Sequence, residues 1–262
     1  MRRRPTLLAT LPAALLVVAG LAGCGSTSAP AAGAGPGAPS GTITVFAAAS
    51  LTETFTKLGT QFQADHSGTT VKFNFGPSSG LAQQITNGAP ADVFASASSK
   101  NMDQVVQAGD AGTPITFAKN QMAIAVPPDN PARITGLADL AKPGVKLAVC
   151  QAQVPCGKVA AEVFQKAGVT VKPVTEGVDV KAVLTLVRTG EVDAGMVYVT
   201  DVKAAGAKVT GIDIPADQNA STSYPIAALS ASKNPTTAQA FVDFVLSSAA
   251  RSALAEAGFS PP

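Results

Sequence analysis

Strand-like and helix-like segments take turns along almost the whole chain, and this alternation narrows the possible architecture more than any other feature. Thr42–Phe46 is a β-rich run, and after Ala47-Ala48-Ala49 a helical period begins, with Leu51, Phe55, Leu58 and Phe62 on one face. Val71–Phe75 reads as a second strand, and Ser78 opens a helix that turns Leu81 and Ile85 inward. Val93–Ser96 is a third strand, followed by a helix carrying Met102, Val105 and Val106. A βαβαβα order of this kind predicts an α/β fold: a mostly parallel sheet with helices on both faces.

Met122–Val126 is a further apolar strand, closed by Pro127-Pro128, and a second alternating set follows it. Its parts are a strand over Lys146–Val149, helices over Gly157–Ala167 and Asp179–Thr189, and a strand over Ala194–Val199. Tyr224–Leu229 reads as one more strand. Two amphipathic helices end the chain, the first with Phe241, Phe244 and Val245 inward, the second with Ala253 and Leu254. No internal repeat of solenoid period is present. Two α/β units, with a terminal segment returning to the first, predict two lobes joined by crossings near Met122 and near Tyr224. Lobe I is then 42–121 with 227–262, and lobe II is 122–226. From Thr42 onward the chain is long enough for two lobes of about 100 residues each.

The first forty residues do not belong to that pattern. Arg2, Arg3 and Arg4 precede an apolar run, Leu7–Leu21, that has the length of a secretory signal core and is too short to span a bilayer. The run ends in Leu21-Ala22-Gly23-Cys24, which resembles a bacterial lipoprotein cleavage site, so 1–23 is expected to be a signal peptide and Cys24 the lipidated residue. The following segment, to Gly41, is almost only Gly, Ala, Pro, Ser and Thr; it cannot bury enough apolar surface to order itself, and 24–41 reads as a flexible tether. The net charge of +2 includes the three leader arginines, without which it is −1. The basic footprint of a nucleic-acid-binding protein is missing. With Cys24 assigned to lipid, Cys150 and Cys156 remain. Outside the cytoplasm two cysteines so close together are expected to form a disulfide, and a two-cysteine metal site lacks further ligands, since the sole histidine, His66, is far away in sequence.

Hydroxyl and Gly-rich segments sit where strands feed helices: Ser50 after the first strand, Ser78-Ser79 after the second, and Val154-Pro155-Cys156-Gly157 after the strand ending at Val149. Ligands of open α/β sheets collect outside the carboxyl ends of strands. A helix start there offers unpaired N–H groups and the positive end of the dipole. Such positions can hold an anion without Lys or Arg, although a serine at a helix start is more commonly a simple cap. Catalytic patterns fail. Gly76-Pro77-Ser78-Ser79-Gly80 matches the nucleophile-elbow spacing, but no histidine follows Ser78. Ser230-Ala231-Ser232-Lys233 lacks its partner motifs, and Ala152 stands where a P-loop before Gly157-Lys158 needs its first glycine.

Several segments, taken in order, resemble the molybdate-binding receptors of ABC importers. They are Thr44-Val45-Phe46-Ala47-Ala48-Ala49-Ser50-Leu51, Ser78-Ser79 with Leu81-Ala82-Gln83-Gln84-Ile85, and Gly88-Ala89-Pro90-Ala91-Asp92-Val93-Phe94. Val154-Pro155-Cys156-Gly157 and Gly195-Met196-Val197-Tyr198-Val199-Thr200-Asp201 complete the series. The resemblance implies a type II periplasmic-binding-protein fold, each lobe a mixed sheet flanked by helices, joined by two hinge crossings. It implies a monomeric receptor rather than an enzyme, with no cofactor, handing molybdate or tungstate to a membrane permease and held at the membrane by its N-terminal lipid. By motif, the implied ligand set is Ser50 and Ser78 through hydroxyl and backbone, Cys156 and Val180 through backbone N–H, and Tyr198 through its phenol. Ser79 is the alternative to Ser78. The metal would be met only as its oxyanion, with no direct protein ligand. Cys156 departs from the small apolar residue often found there in the family. Asp92 and Asp201 read as caps or turn residues, and Glu176 as surface. All implied groups donate hydrogen bonds, which suits a fully deprotonated tetrahedral dianion and disfavours phosphate, which keeps a proton near neutral pH. A receptor for sulfate or another small solute is the alternative reading; a hydrolase using Ser78 is the remoter one.

Overall fold

The computed structural model describes residues 37–262. The expected signal peptide, Cys24 and most of the 24–41 tether lie outside the described residues. The fold takes hold at the end of that tether. The Ser40 carbonyl accepts from Asn234 Nδ2 at 2.6 Å and from Thr237 Oγ1 at 2.8 Å, and strand β1 starts at Gly41.

The expected alternation is present. Strand β1 (Gly41–Ala48) runs through a 3₁₀ turn (Ala49–Leu51) into helix α1 (Thr52–Asp65). Then come β2 (Thr69–Gly76), α2 (Ser78–Thr86), β3 (Val93–Ala95) and α3 (Ser99–Gln107). β1 pairs in parallel with both β2 and β3. The period-two pattern of β1 separates its faces: Ile43, Val45 and Ala47 enter one core, with Phe55, Leu58 and Phe62 of α1, while Phe46 enters another with Leu81 of α2 and Met102 of α3. Helices therefore cover both faces of this sheet.

β4 (Ile115–Val126) is twice as long as its apolar run suggests. Its first half, through Gln121, pairs antiparallel with β9 (Ser221–Ala228), and from Met122 it pairs instead with β7 (Ala194–Tyr198). The first crossing therefore falls between Gln121 and Met122. The second half of the molecule adds β5 (Leu147–Cys150), α4 (Pro155–Ala167), β6 (Thr175–Gly177) and α5 (Val180–Arg188). After β7 come α6 (Val199–Ala205) and β8 (Thr210–Asp213), which pairs with β4. Strands run in the order β2-β1-β3-β9-β4-β7-β5-β6. The sheet is mixed, because β9 and β4 lie antiparallel to their neighbours.

The second crossing comes earlier than the expected boundary at 226. β9 is paired with the first half of β4 from Ser221 onward, and Tyr224 and Ile226 pack in the core of β1 and α1, whereas Ala220 still belongs to the other core. Residues 221–226 thus pair and pack with β4's first half, β1 and α1 rather than with the second core. Helices α7 (Pro235–Val245) and α8 (Ser248–Glu256) close the first lobe, with Phe241 edge-on to Phe55 and Phe62 at 6.2 and 5.3 Å between ring centres. Such aromatic pairs add about 0.5–1.5 kcal/mol each beyond area burial. Among the described residues no helix is long and apolar enough to cross a membrane.

Candidate anion-binding site

Five chain turns, two from the first half and three from the second, meet around one small cavity. Ser50 in the 3₁₀ turn, Ser78 at the start of α2, Cys156 at the start of α4, Val180 at the start of α5 and Tyr198 at the end of β7 all line it. The five residues singled out from the sequence are thus brought together, each 5% exposed or less. Ser79 does not line the cavity; Ser78 does.

The helix starts leave their first amides without intrahelical carbonyls. In α2 the pairing begins with the Leu81 N–H on the Pro77 carbonyl, so the amides of residues 78–80 precede the ladder. In α4 Pro155 has no N–H, and the ladder begins with the Lys158 N–H on the Val154 carbonyl, which leaves Cys156 and Gly157 at the tip. In α5 the Asp179 carboxylate accepts from the Ala182 N–H at 2.9 Å and its carbonyl from Val183, which leaves Val180 and Lys181. Three helix dipoles thus present their positive ends to one small space. Asp179 is the only carboxylate on the wall, a group absent from the sequence reading, and Oδ1 of that carboxylate is engaged as the α5 cap.

Local packing forces the α4 start into place. Cys150, at the end of β5, is disulfide-bonded to Cys156, with 5.7 Å between their Cα atoms. Inside that ring the Gln151 N–H donates to the Gly177 carbonyl at 2.9 Å. A Cβ on Gly157 would stand 2.1 Å from the Gln151 carbonyl oxygen, a backbone atom with no room to retreat, so only glycine permits this approach.

The hydroxyls are oriented from behind. The Ala97 N–H donates to Ser78 Oγ at 2.9 Å, which leaves the Ser78 hydrogen free to donate elsewhere. Ser50 Oγ lies 2.8 Å from the hydroxyl of Tyr224, which in turn accepts from Asn120 Nδ2 at 3.4 Å. Asn120 also donates to Thr200 Oγ1 at 2.8 Å. Ser50, Tyr224, Asn120 and Thr200 are all buried. Sequence reasoning missed Tyr224 and Asn120. The available signal was that the chain has two tyrosines; both are buried here, edge-on, 6.4 Å apart.

The Tyr198 hydroxyl is buried and has no hydrogen-bond partner among the described residues. Burial pushes its phenol well above the ordinary range, with Tyr224 and Asp201 adding to the effect. A buried, unpaired hydroxyl costs about 1–3 kcal/mol, so its position calls for an acceptor. The Tyr198 backbone N–H donates to Asp201 Oδ2 at 3.1 Å, which makes Asp201 a cap as expected. Asp201 is also ion-paired to Lys181 at 2.9 Å, and Lys181 reaches Glu53 of α1 at 2.7 Å, joining the two halves. Burial works to lower the Lys181 ammonium pKa, but the Asp201 and Glu53 carboxylates outweigh it and hold it above its ordinary value. Asp92 is structural too: it accepts from the Thr44 N–H at 2.7 Å and from Ser232 Oγ at 2.6 Å.

Chemically the cavity offers donors and no nucleophile–base pair. Ser78 has a backbone N–H, not an imidazole, against its oxygen, and His66 packs on Phe62 at the end of α1. Among the described residues no group of three or more His, Cys, Asp or Glu side chains is placed to hold a metal ion.

A family model described as bacterial extracellular solute-binding protein matches residues 43–260. The chain belongs to that family. Among its solute-binding relatives is the molybdate-binding protein ModA of Mycobacterium tuberculosis, 44% identical over 248 residues that cover 94% of this chain and 95% of the relative. The periplasmic molybdate-binding protein of Azotobacter vinelandii superposes with a TM-score of 0.73 over 84% of this chain and 99% of its own, at 23% identity. The sulfate-binding protein SubI of Mycobacterium tuberculosis does so with 0.72 over 84% and 86%, at 21% identity. These two likenesses establish the two-lobed binding-protein fold. They do not choose between the ions, because one solute-binding fold serves both.

Proposed function

We propose that this protein is the extracytoplasmic receptor of a molybdate ABC importer. It takes up molybdate or tungstate as the intact oxyanion between its lobes and hands it to a membrane permease, without catalysis. The observation that carries the reading is the donor-rich cavity, with the buried Tyr198 hydroxyl left without an acceptor among the described residues. Ser50 and Ser78 donate from one lobe, and Tyr198 and the N–H groups of Cys156 and Val180 from the other. Helix dipoles stand in for Lys and Arg. A dianion that is fully deprotonated satisfies every donor, whereas hydrogenphosphate brings a proton for which the wall offers one carboxylate, Asp179, already engaged through Oδ1 as the α5 cap. The high identity to a relative named for molybdate supports that ion over sulfate. In this reading the monomer is tethered through lipid on Cys24, and its mature chain carries no site for nucleic acid.

Calorimetric titration of the ligand-free mature protein tests this directly. Molybdate and tungstate should bind one-to-one and compete with each other, sulfate should bind more weakly, and phosphate weakest of the four. Sulfate binding tighter than molybdate would reassign the receptor, and silence with all four anions would end the oxyanion reading.

A further inference from the structure

We infer that Tyr224 and Asn120, which do not line the cavity, bias Ser50 towards donating to the anion and so act as positioning residues for selecting fully deprotonated oxyanions. This rests on the molybdate reading above. The direction of each hydrogen bond follows from one fixed end. Asn120 Oδ1 accepts the N–H of Gln121 at 3.0 Å; exchanging its oxygen and nitrogen would set an NH₂ against that N–H. The amide nitrogen is thereby directed to Thr200 Oγ1 at 2.8 Å and to the Tyr224 oxygen at 3.4 Å, and an amide nitrogen only donates. The Tyr224 oxygen is then an acceptor on that side, and its hydrogen has one acceptor within reach among the described residues, Ser50 Oγ at 2.8 Å. The reverse direction, Ser50 donating to Tyr224, would leave the Tyr224 hydrogen facing the Asn120 NH₂ in a fully buried place.

With its oxygen occupied from behind, Ser50 has its own hydrogen left for the cavity that it lines. Burial pushes the Tyr224 phenol up, so it remains a donor. Asn120 is the last buried polar residue of β4 before its change of partner at Met122, and Thr200 belongs to α6 of the other half, so the relay is anchored where the lobes join. Ser78 is set in the same sense by the Ala97 N–H. In both serines one lone pair is taken from behind, which biases the hydroxyl towards donating into the cavity.

Tyr224→Phe removes the relay while keeping the ring. Ser50 can then rotate and accept, so molybdate affinity should fall about tenfold, the scale of one lost or misdirected hydrogen bond to a charged group. Hydrogenphosphate, used as the protonated probe, should lose nothing or gain, so that the molybdate-to-phosphate affinity ratio drops at least as far. In a Ser50→Ala background, Tyr224→Phe should change molybdate affinity by less than about twofold, because the relay no longer has an end. Asn120→Asp, which keeps the tyrosine and its packing, replaces the donor behind Tyr224 with an acceptor and should lower the same ratio. An unchanged ratio in both single variants, or the same loss in the Ser50→Ala background, overturns the relay while the molybdate reading stands. A wild-type protein that does not bind molybdate overturns both.

Discussion

Tyr198→Phe separates a ligand contact from a packing contact by the sign of its two effects. The change deletes one oxygen that is buried and has no partner among the described residues. In the ligand-free protein this relieves a desolvation penalty of about 1–3 kcal/mol, so the melting temperature should hold or rise. In the complex the same change removes a charge-assisted hydrogen bond of about 1.5–3 kcal/mol, a loss of roughly ten- to 150-fold in Kd. The two combine in a thermal-shift experiment. Ligand at 100 times the wild-type Kd adds about 2.7 kcal/mol to wild-type stability through mass action. At the same concentration a variant weakened ten- to 100-fold gains only about 1.4 to 0.4 kcal/mol. Calorimetry gives the Kd, and paired melts with and without molybdate give the stability terms. An unchanged Kd removes Tyr198 from the site; a ligand-free variant that melts several degrees lower shows the hydroxyl to be structural instead.

Replacing Cys150 and Cys156 with Ala releases a short ring that contributes about 2.4 kcal/mol by loop entropy. It should lower the melting temperature by roughly 5–10 °C and molybdate affinity only modestly, since Cys156 is proposed to donate through its backbone; alkylation of unreduced protein with intact-mass readout checks the bridge itself. Gly157→Ala drives a methyl against the Gln151 carbonyl, and because that carbonyl belongs to the disulfide ring it should cost both stability and affinity, read by melting and titration. Burial raises both buried phenols above their ordinary value, so unfolded tyrosines lose protons near pH 10 while the folded ones keep them. Their stabilisation is therefore complete below about pH 10 and is lost as pH rises further; Tyr198→Phe should flatten the decline in melts from about pH 9 to 11.

The elements read well wherever an apolar period was long. α1, α4 and α5 have three or more core residues at helical spacing, and each was expected within a few residues of its place. β4 was shortened because Lys119-Asn120-Gln121 interrupts its apolar pattern, yet Asn120 is buried, satisfied by side chains some 80 and 100 positions away. β6 and β8 are three and four residues long and carry too little period to register. The five cavity residues were found through motif resemblance; physics alone would have left Val180 as core and Tyr198 as a strand-end aromatic. The hydrogen-bonded chain behind Ser50 was beyond reach, since it depends on β4 and β9 meeting, a pairing that no local pattern encodes.

The first lobe is assembled from both ends of the chain. β9 lies between β3 and β4, and α7 supplies Phe241 to the core of α1. Near the N-terminal edge, Ser40 is fastened by Asn234 and Thr237. The second lobe, by contrast, is drawn from one uninterrupted stretch. In a chain synthesised N-terminus first, this order of parts acts as a timer. The segment that emerges earliest carries Ser50 and Ser78 but cannot seal its core until the last forty or so residues have been made, because contacts this distant in sequence form only once the intervening chain is present. The pocket is therefore withheld until the chain is complete through β9, and a chain stopped before β9 would present half a receptor with no closed core behind it.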